Sequence, residues 1–153
     1  MSFSRTTKLK RGLQFPSKSA IVRQASTQKG NVMEMEKVDI AEKFEHIAEY
    51  WKPYIAGELN GQLVKLVKFM GEFVWHHHEN EDELFFVVKG RFRIEFRERV
   101  IWLEQGEFLV VPRGVEHRPV ANEEVWVALF EPASTLNTGI VENQFTLRQL
   151  QRV

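Results

Sequence analysis

Cysteine is absent from this 153-residue chain, which excludes disulfides, thiolate-held zinc and iron–sulfur centres. That absence fits a reducing compartment, and a cytoplasmic location is expected. No apolar run approaches the length of a membrane span and no signal-peptide core opens the chain, so no membrane partner is expected. Acid is missing from the first 33 residues, which carry seven bases (Arg5, Lys8, Lys10, Arg11, Lys18, Arg23, Lys29). Because the formal net charge is zero, the remainder holds fourteen bases against twenty-one acids. An acidic body argues against nucleic acid as a partner, since such binding works by neutralising phosphates.

What is present points to one domain with a core of ordinary size. Hydrophobic residues make up 43% and charged residues 27%. Twelve Phe and four Trp, with frequent Val, lean the chain toward strands. Residues 1–33 are rich in Ser, Thr, Gln and base without periodicity, and are expected to form a disordered basic tail. A flexible arm, a transit peptide, or sequence upstream of a true start near Met33 or Met35 would each look this way. The composition favours an inert tail over a targeting signal. The ordered domain is then 34–153.

Residues 38–51 read as a helix, with Ile40, Phe44, Ile47 and Trp51 at helical spacing. Asp39 followed by Glu42 starts it as a capping-box variant, and Pro53 stops it. His46 falls within it as a surface residue. From 61 to 131 the text turns to short strands: Gln62–Phe69, Glu72–His78, Glu83–Val88, Arg91–Arg97, Val100–Leu103, Phe108–Val111 and Glu124–Phe130. Arg91–Arg97 is the clearest, with Phe92, Ile94 and Phe96 alternating with charged residues. Glycines mark most connections, but Glu98 alone separates two strand-like runs. Many short strands with regular turns indicate a sandwich or barrel. After Pro132 a polar extension, 132–153, ends in an expected short helix at Thr146–Arg152.

Four of the five histidines fall in two short stretches rich in β-forming residues. On an extended chain His76 and His78 point together while His77 points away. Two imidazoles and a nearby carboxylate can hold a divalent metal, with a third imidazole completing the site. A solvated strand end, with Glu83 an ordinary surface acid like Glu79 or Glu81, is the competing reading.

The order His76-x-His78, Glu83, Gly90, then Gly106, Pro112-x-Gly114 and His117 resembles the two motifs of the cupin superfamily, over about residues 61–131. Two positions depart: Gly71 lies one residue closer to His76 than the family pattern, and Ala121, beside Asn122, stands where Asn is usual. Neither is a ligand position. The resemblance implies an all-β double-stranded β-helix (jelly-roll) barrel with a short N-terminal helix, paired as a homodimer through sheet edges. It also makes His76, His78, Glu83 and His117 the metal ligands, with His77 outside the shell. This donor set suits Fe, Mn, Zn or Ni and leaves positions open for a small molecule. The expected function is a small-molecule metalloenzyme of isomerase or oxygenase type, or else a non-catalytic metal-assisted binding or sensing module. Glu83, Phe85, Val87, Phe92, Ile94 and Phe96 should face inward. Only Arg113 and Arg118, near the rim, could anchor a phosphate, which disfavours a sugar-phosphate substrate although similar small cupins are often grouped with mannose-6-phosphate isomerase.

Overall fold

A computed structural model describes residues 36–153; the expected tail 1–33 lies outside the described residues. One helix, α1 (Ile40–Glu45), precedes seven strands: β1 (Tyr54–Leu59), β2 (Gln62–Glu72), β3 (Glu83–Lys89), β4 (Arg91–Phe96), β5 (Val100–Glu104), β6 (Phe108–Val111) and β7 (His117–Pro132). All pairings between these strands are antiparallel. The strand order β1-β2-β7-β3-β6 forms one path, and β4 joins β7 to β5. The long strand β7 organises the fold. β2 pairs along most of its length, β3 with its second half and β4 with its start. This all-β barrel is the architecture the alternating strands predict.

Period-two burial places the core inside. Glu83, Phe85 and Val87 on β3, and Phe92 and Ile94 on β4, are buried, and half-buried Phe96 packs against them. A second cluster lies on the outer face of the sheet, where Phe44, Ile47 and Leu66 are buried and Phe44 stacks on Trp126 at 4.8 Å. Burying a side chain of this size stabilises the fold by roughly 1.5–3 kcal/mol. That is why so short a helix stays docked.

Four local expectations need correction. The helix ends at Glu45, well short of residue 51, although Asp39 does cap it by accepting from the Glu42 amide at 3.2 Å. Beyond His46 the chain is captured by β2: Tyr50 bridges Lys68, and the Trp51 amide donates to the Lys68 carbonyl at 2.9 Å. Ile47 and Trp51 are therefore buried on two different surfaces, not along one stripe. Strand β1 was not anticipated, and the barrel begins at Tyr54, before residue 61. Residues 73–78 form no strand; within them only His76 makes a β-bridge, exchanging backbone hydrogen bonds with His117 at 3.1 and 2.9 Å. No helix forms at Thr146–Arg152. The Ile55 backbone bonds to Gln151 and Val153 at 2.8 and 3.1 Å, so the chain end covers the free edge of β1.

The weakly marked reversal at Glu98 is real. Phe96 donates its amide to the Arg99 carbonyl at 2.8 Å, closing a two-residue loop at Arg97–Glu98.

Candidate metal centre

The four expected residues meet inside the barrel. His76 and His78 come from the extended segment before β3, Glu83 opens β3, and His117 opens β7. One donor atom from each lies within 4.8 Å of the others, and all four side chains are buried. That is close to the ~4 Å span across one ion held by bonds of ~2.0–2.2 Å. The backbone pairing of His76 with His117 brings the two motifs together, with ring centroids 4.3 Å apart. His77 is half-buried and outside the cluster, and His46 is exposed.

Hydrogen bonds orient the rings. His76 Nδ1 lies 3.0 Å from the Val74 carbonyl, and His117 Nδ1 lies 3.0 Å from the Val115 carbonyl. A carbonyl only accepts, so each Nδ1 carries the proton and donates it. In the neutral rings each Nε2 therefore presents a lone pair, the outer-contact arrangement that steers imidazole toward a cation. His117 Nε2 has no hydrogen-bond partner, yet it sits 3.4 Å from Glu83 Oε2. His78 Nε2 is 3.2 Å from the same oxygen. For His117, whose Nδ1 holds the proton, a lone pair facing a carboxylate oxygen at this separation needs a cation between them, either a proton or a metal. His78 can instead donate its own Nε2 proton to that oxygen. The residues fit a divalent transition ion.

Electrostatics point the same way. Burial, with the neighbouring His117 adding to it, pushes the His76 imidazole down to about 4, so it is neutral at physiological pH. Burial raises the Glu83 carboxyl, but the His117 and His78 imidazoles beside it outweigh this and hold the group well below the usual carboxylate range. Burial lowers His78, and the Glu83 carboxylate reverses this to a net upward shift. The four side chains thus form one anion with imidazoles around it.

A pH experiment follows for chelator-treated protein. His76 titrates lower folded than unfolded, so no stability depends on it above about pH 6.5. As pH falls from there toward 4, only the unfolded chain takes up the proton and the folded state loses stability. Urea unfolding should show the advantage of wild type over His76→Gln shrinking across that window, by on the order of 3 kcal/mol. A constant difference would contradict the assignment.

Two features beside the site were not anticipated. Lys65 on β2 and Glu131 at the end of β7 form a fully buried ion pair, with Nζ to Oε1 at 2.7 Å. Glu131 lies one position beyond the Leu84–Phe130 pair, which makes it the cross-strand neighbour of Glu83. Burial, and then the Glu83 charge, raise the Glu131 carboxyl against the opposing pull of Lys65. Nothing in the local sequence around Lys65 distinguishes it from a solvated lysine.

The second feature is Gly139, in the extension after β7. A Cβ here would lie 1.9 Å from the His77 carbonyl oxygen, and its φ is +55°. The extension is therefore pressed onto the segment that carries His76 and His78. Gly139→Ala should force it off, lowering stability by about 1–3 kcal/mol and weakening metal uptake. Thermal melting with and without Zn(II) checks this; an unchanged melting temperature would show that the extension is not held there.

Comparison with known proteins agrees with the geometry. The family model "Cupin domain" matches residues 65–130. A cupin-2 domain containing protein from Shewanella frigidimarina NCIMB 400 is 43% identical, with a TM-score of 0.62, covering 62% of this chain and 93% of that one. Protein NMB1881 from Neisseria meningitidis is 31% identical with a TM-score of 0.60, covering 64% of this chain and all of that one. YdbB of Bacillus subtilis (strain 168), described as an uncharacterized protein, is 40% identical over 62 residues, which are 40% of this chain and 55% of YdbB. The chain belongs to the cupin family.

Proposed function

We propose that this cupin holds a divalent transition metal, Fe, Mn, Zn or Ni, on His76, His78, Glu83 and His117, and uses it on a small organic molecule. The observation that carries the reading is the inward His117 Nε2, fixed by its Nδ1 bond to Val115 and set against Glu83 without a proper hydrogen bond. A bound ion would act as a Lewis acid or as the redox centre of oxygen chemistry, for an isomerase- or oxygenase-type reaction. Four protein ligands leave positions on a six-coordinate ion for water or substrate. The protein's own part is to orient the imidazoles, keep His76 neutral and exclude water from the interior.

A non-catalytic binding or sensing module is the second reading. It is favoured by one observation: Asn137, the polar side chain beside the ligand set, has its amide fully engaged with Phe145 and Leu147. Glu131, a further carboxylate beside Glu83, is tied to Lys65 through Oε1. Calorimetric titration of chelator-treated, tag-free protein with each of the four metals tests the shared claim. One ion per chain is expected, and no saturable uptake of any of them would overturn both readings. Turnover by the loaded protein across sugars and oxidisable small molecules then separates enzyme from sensor.

The homodimer belongs to the same proposal, supported by Phe108 and Val110 on β6 and Val100 and Trp102 on β5, which are large, apolar and exposed on edge strands. So does a cytoplasmic location, supported by the absence of cysteine. No helix among the described residues is long and apolar enough to cross a membrane.

A further inference from the structure

The four donor side chains are only 1–4% exposed, and the cleft beside His76 and Glu83 leaves about 30 Å³ of room. That holds little more than water, whereas small-molecule sites usually offer ~300–1,000 Å³. A hydrated metal ion or an organic ligand can therefore reach the donors only if a wall of the cleft moves.

Most of the walls are fixed. Val67, Phe69, Phe85 and Leu129 stand on β2, β3 and β7, within the backbone ladder. Trp51 is tied through its amide to the Lys68 carbonyl and through its indole N–H to the Met70 carbonyl, at 2.9 and 2.8 Å. The Phe73 amide donates to the Pro119 carbonyl at 3.0 Å, and His76 pairs with His117. Asn137 is different, because it comes from the extension after β7.

Among the described residues, the hydrogen bonds made by 136–149 all stay within that segment. The Asn137 side chain donates to the Phe145 carbonyl at 2.7 Å and accepts from the Leu147 amide at 2.9 Å. The Thr138 and Thr146 hydroxyls are 2.8 Å apart. The bonds to the barrel lie on either side. Before the segment, the Ala133 amide donates to the Gly61 carbonyl at 3.0 Å, and Lys65 Nζ donates to the Thr135 carbonyl at 3.4 Å. After it, Gln151 and Val153 bond to Ile55. The middle is seated by packing alone: Phe145 leans on Phe73 at 5.3 Å, Phe73 meets His76 edge-on at 5.3 Å, and Gly139 presses on the His77 carbonyl. A segment shaped by its own bonds and fixed at two ends can lift as a unit for the loss of few contacts.

We infer that residues 136–148 are a lid over the metal centre, seated by Phe145 on Phe73, which lifts to let the metal and its small-molecule ligand in and out. The inference rests on the proposed metal centre. Loosening the seat favours the open form with the site empty or filled, so uptake and release should both quicken while affinity stays nearly constant. A residue that only propped up the ligands would behave differently, with faster release and weaker binding.

Stopped-flow mixing of chelator-treated, tag-free full chain with Zn(II), and of loaded protein with excess EDTA, provides the test. In wild type the uptake rate should level off as zinc is raised, because lid opening becomes limiting. Phe145→Ala, verified as folded by circular dichroism, should raise that plateau and the EDTA-driven release rate about tenfold each. Its zinc affinity should change by less than about threefold. Should the variant not fold, the wild-type uptake curve decides alone. A wild-type rate that keeps climbing in proportion to zinc overturns the inference. So does a folded Phe145→Ala with wild-type rates, or one with faster release, unchanged uptake and weakened binding. Failure to take up zinc or any other of the four metals overturns the proposed function and the lid with it, whereas loading with the kinetics of an open site overturns the lid alone.

Discussion

Replacing His117 with alanine is expected to abolish stable metal uptake, whereas His77→Ala should leave it nearly intact. His117 is the proposed ligand from the second motif, and β7 brings it to the three candidate donors that precede it in the chain. Without it the remaining donors all come from one side, and Glu83 loses a partner 3.4 Å away. Losing a residue that merely orients a ligand costs about 10–100-fold in affinity, and loss of the ligand itself should exceed that. His77 points out of the cluster, so its removal should change affinity no more than a few-fold. Competition with a chelator of known affinity measures both variants. Equal losses would mean the register of the first motif has been misread.

The second large effect concerns the buried ion pair. Lys65→Met should destabilise the protein by about 3–5 kcal/mol, because it leaves Glu131 buried, unpaired and next to Glu83. Lys65 and Glu131 are 0% and 1% exposed, so water cannot substitute for the lost partner. The loss should grow with pH, since Glu131 already leans toward its neutral form through burial and the Glu83 charge. Below its folded-state pKa it remains protonated and costs little; above, the carboxylate must ionise without Lys65. Adding Glu131→Leu should recover most of the stability, as an apolar pair of similar volume often replaces a buried salt bridge at little cost. Urea unfolding of the single and double variants across pH 5–8 checks this. A near-neutral Lys65→Met would show that the pair is open to water.

Much of this architecture was legible in the sequence because burial follows strand parity. Phe92 and Ile94 alternate with charged residues, so the inward face of β4 could be read directly, and Glu83, Phe85 and Val87 follow the same rule. Parity also separated His77 from His76 and His78, although residues 73–78 form no strand; an extended chain alternates its side chains whether or not it is paired. Where tertiary contacts override local pattern, the reading failed. Ile47 and Trp51 stand at helical spacing, yet backbone bonds to β2 pull the chain out of the helix before either is reached. Strand β1 went unrecognised despite a usable signal: Asn60-Gly61, with φ of +52° and +76°, is the left-handed dipeptide of a tight hairpin. Glu131 and Lys65 gave no local sign at all. Each looks like a surface charge until the β2–β7 register places both inside.

The most direct test of the metal centre is an anomalous difference map from crystals of tag-free protein, measured at the absorption edge of whichever metal elemental analysis finds. One peak is predicted per chain, about 2.0–2.2 Å from one donor atom each of His76, His78, Glu83 and His117. No peak there, or a peak held by His77 or by residues outside the barrel, would contradict the account.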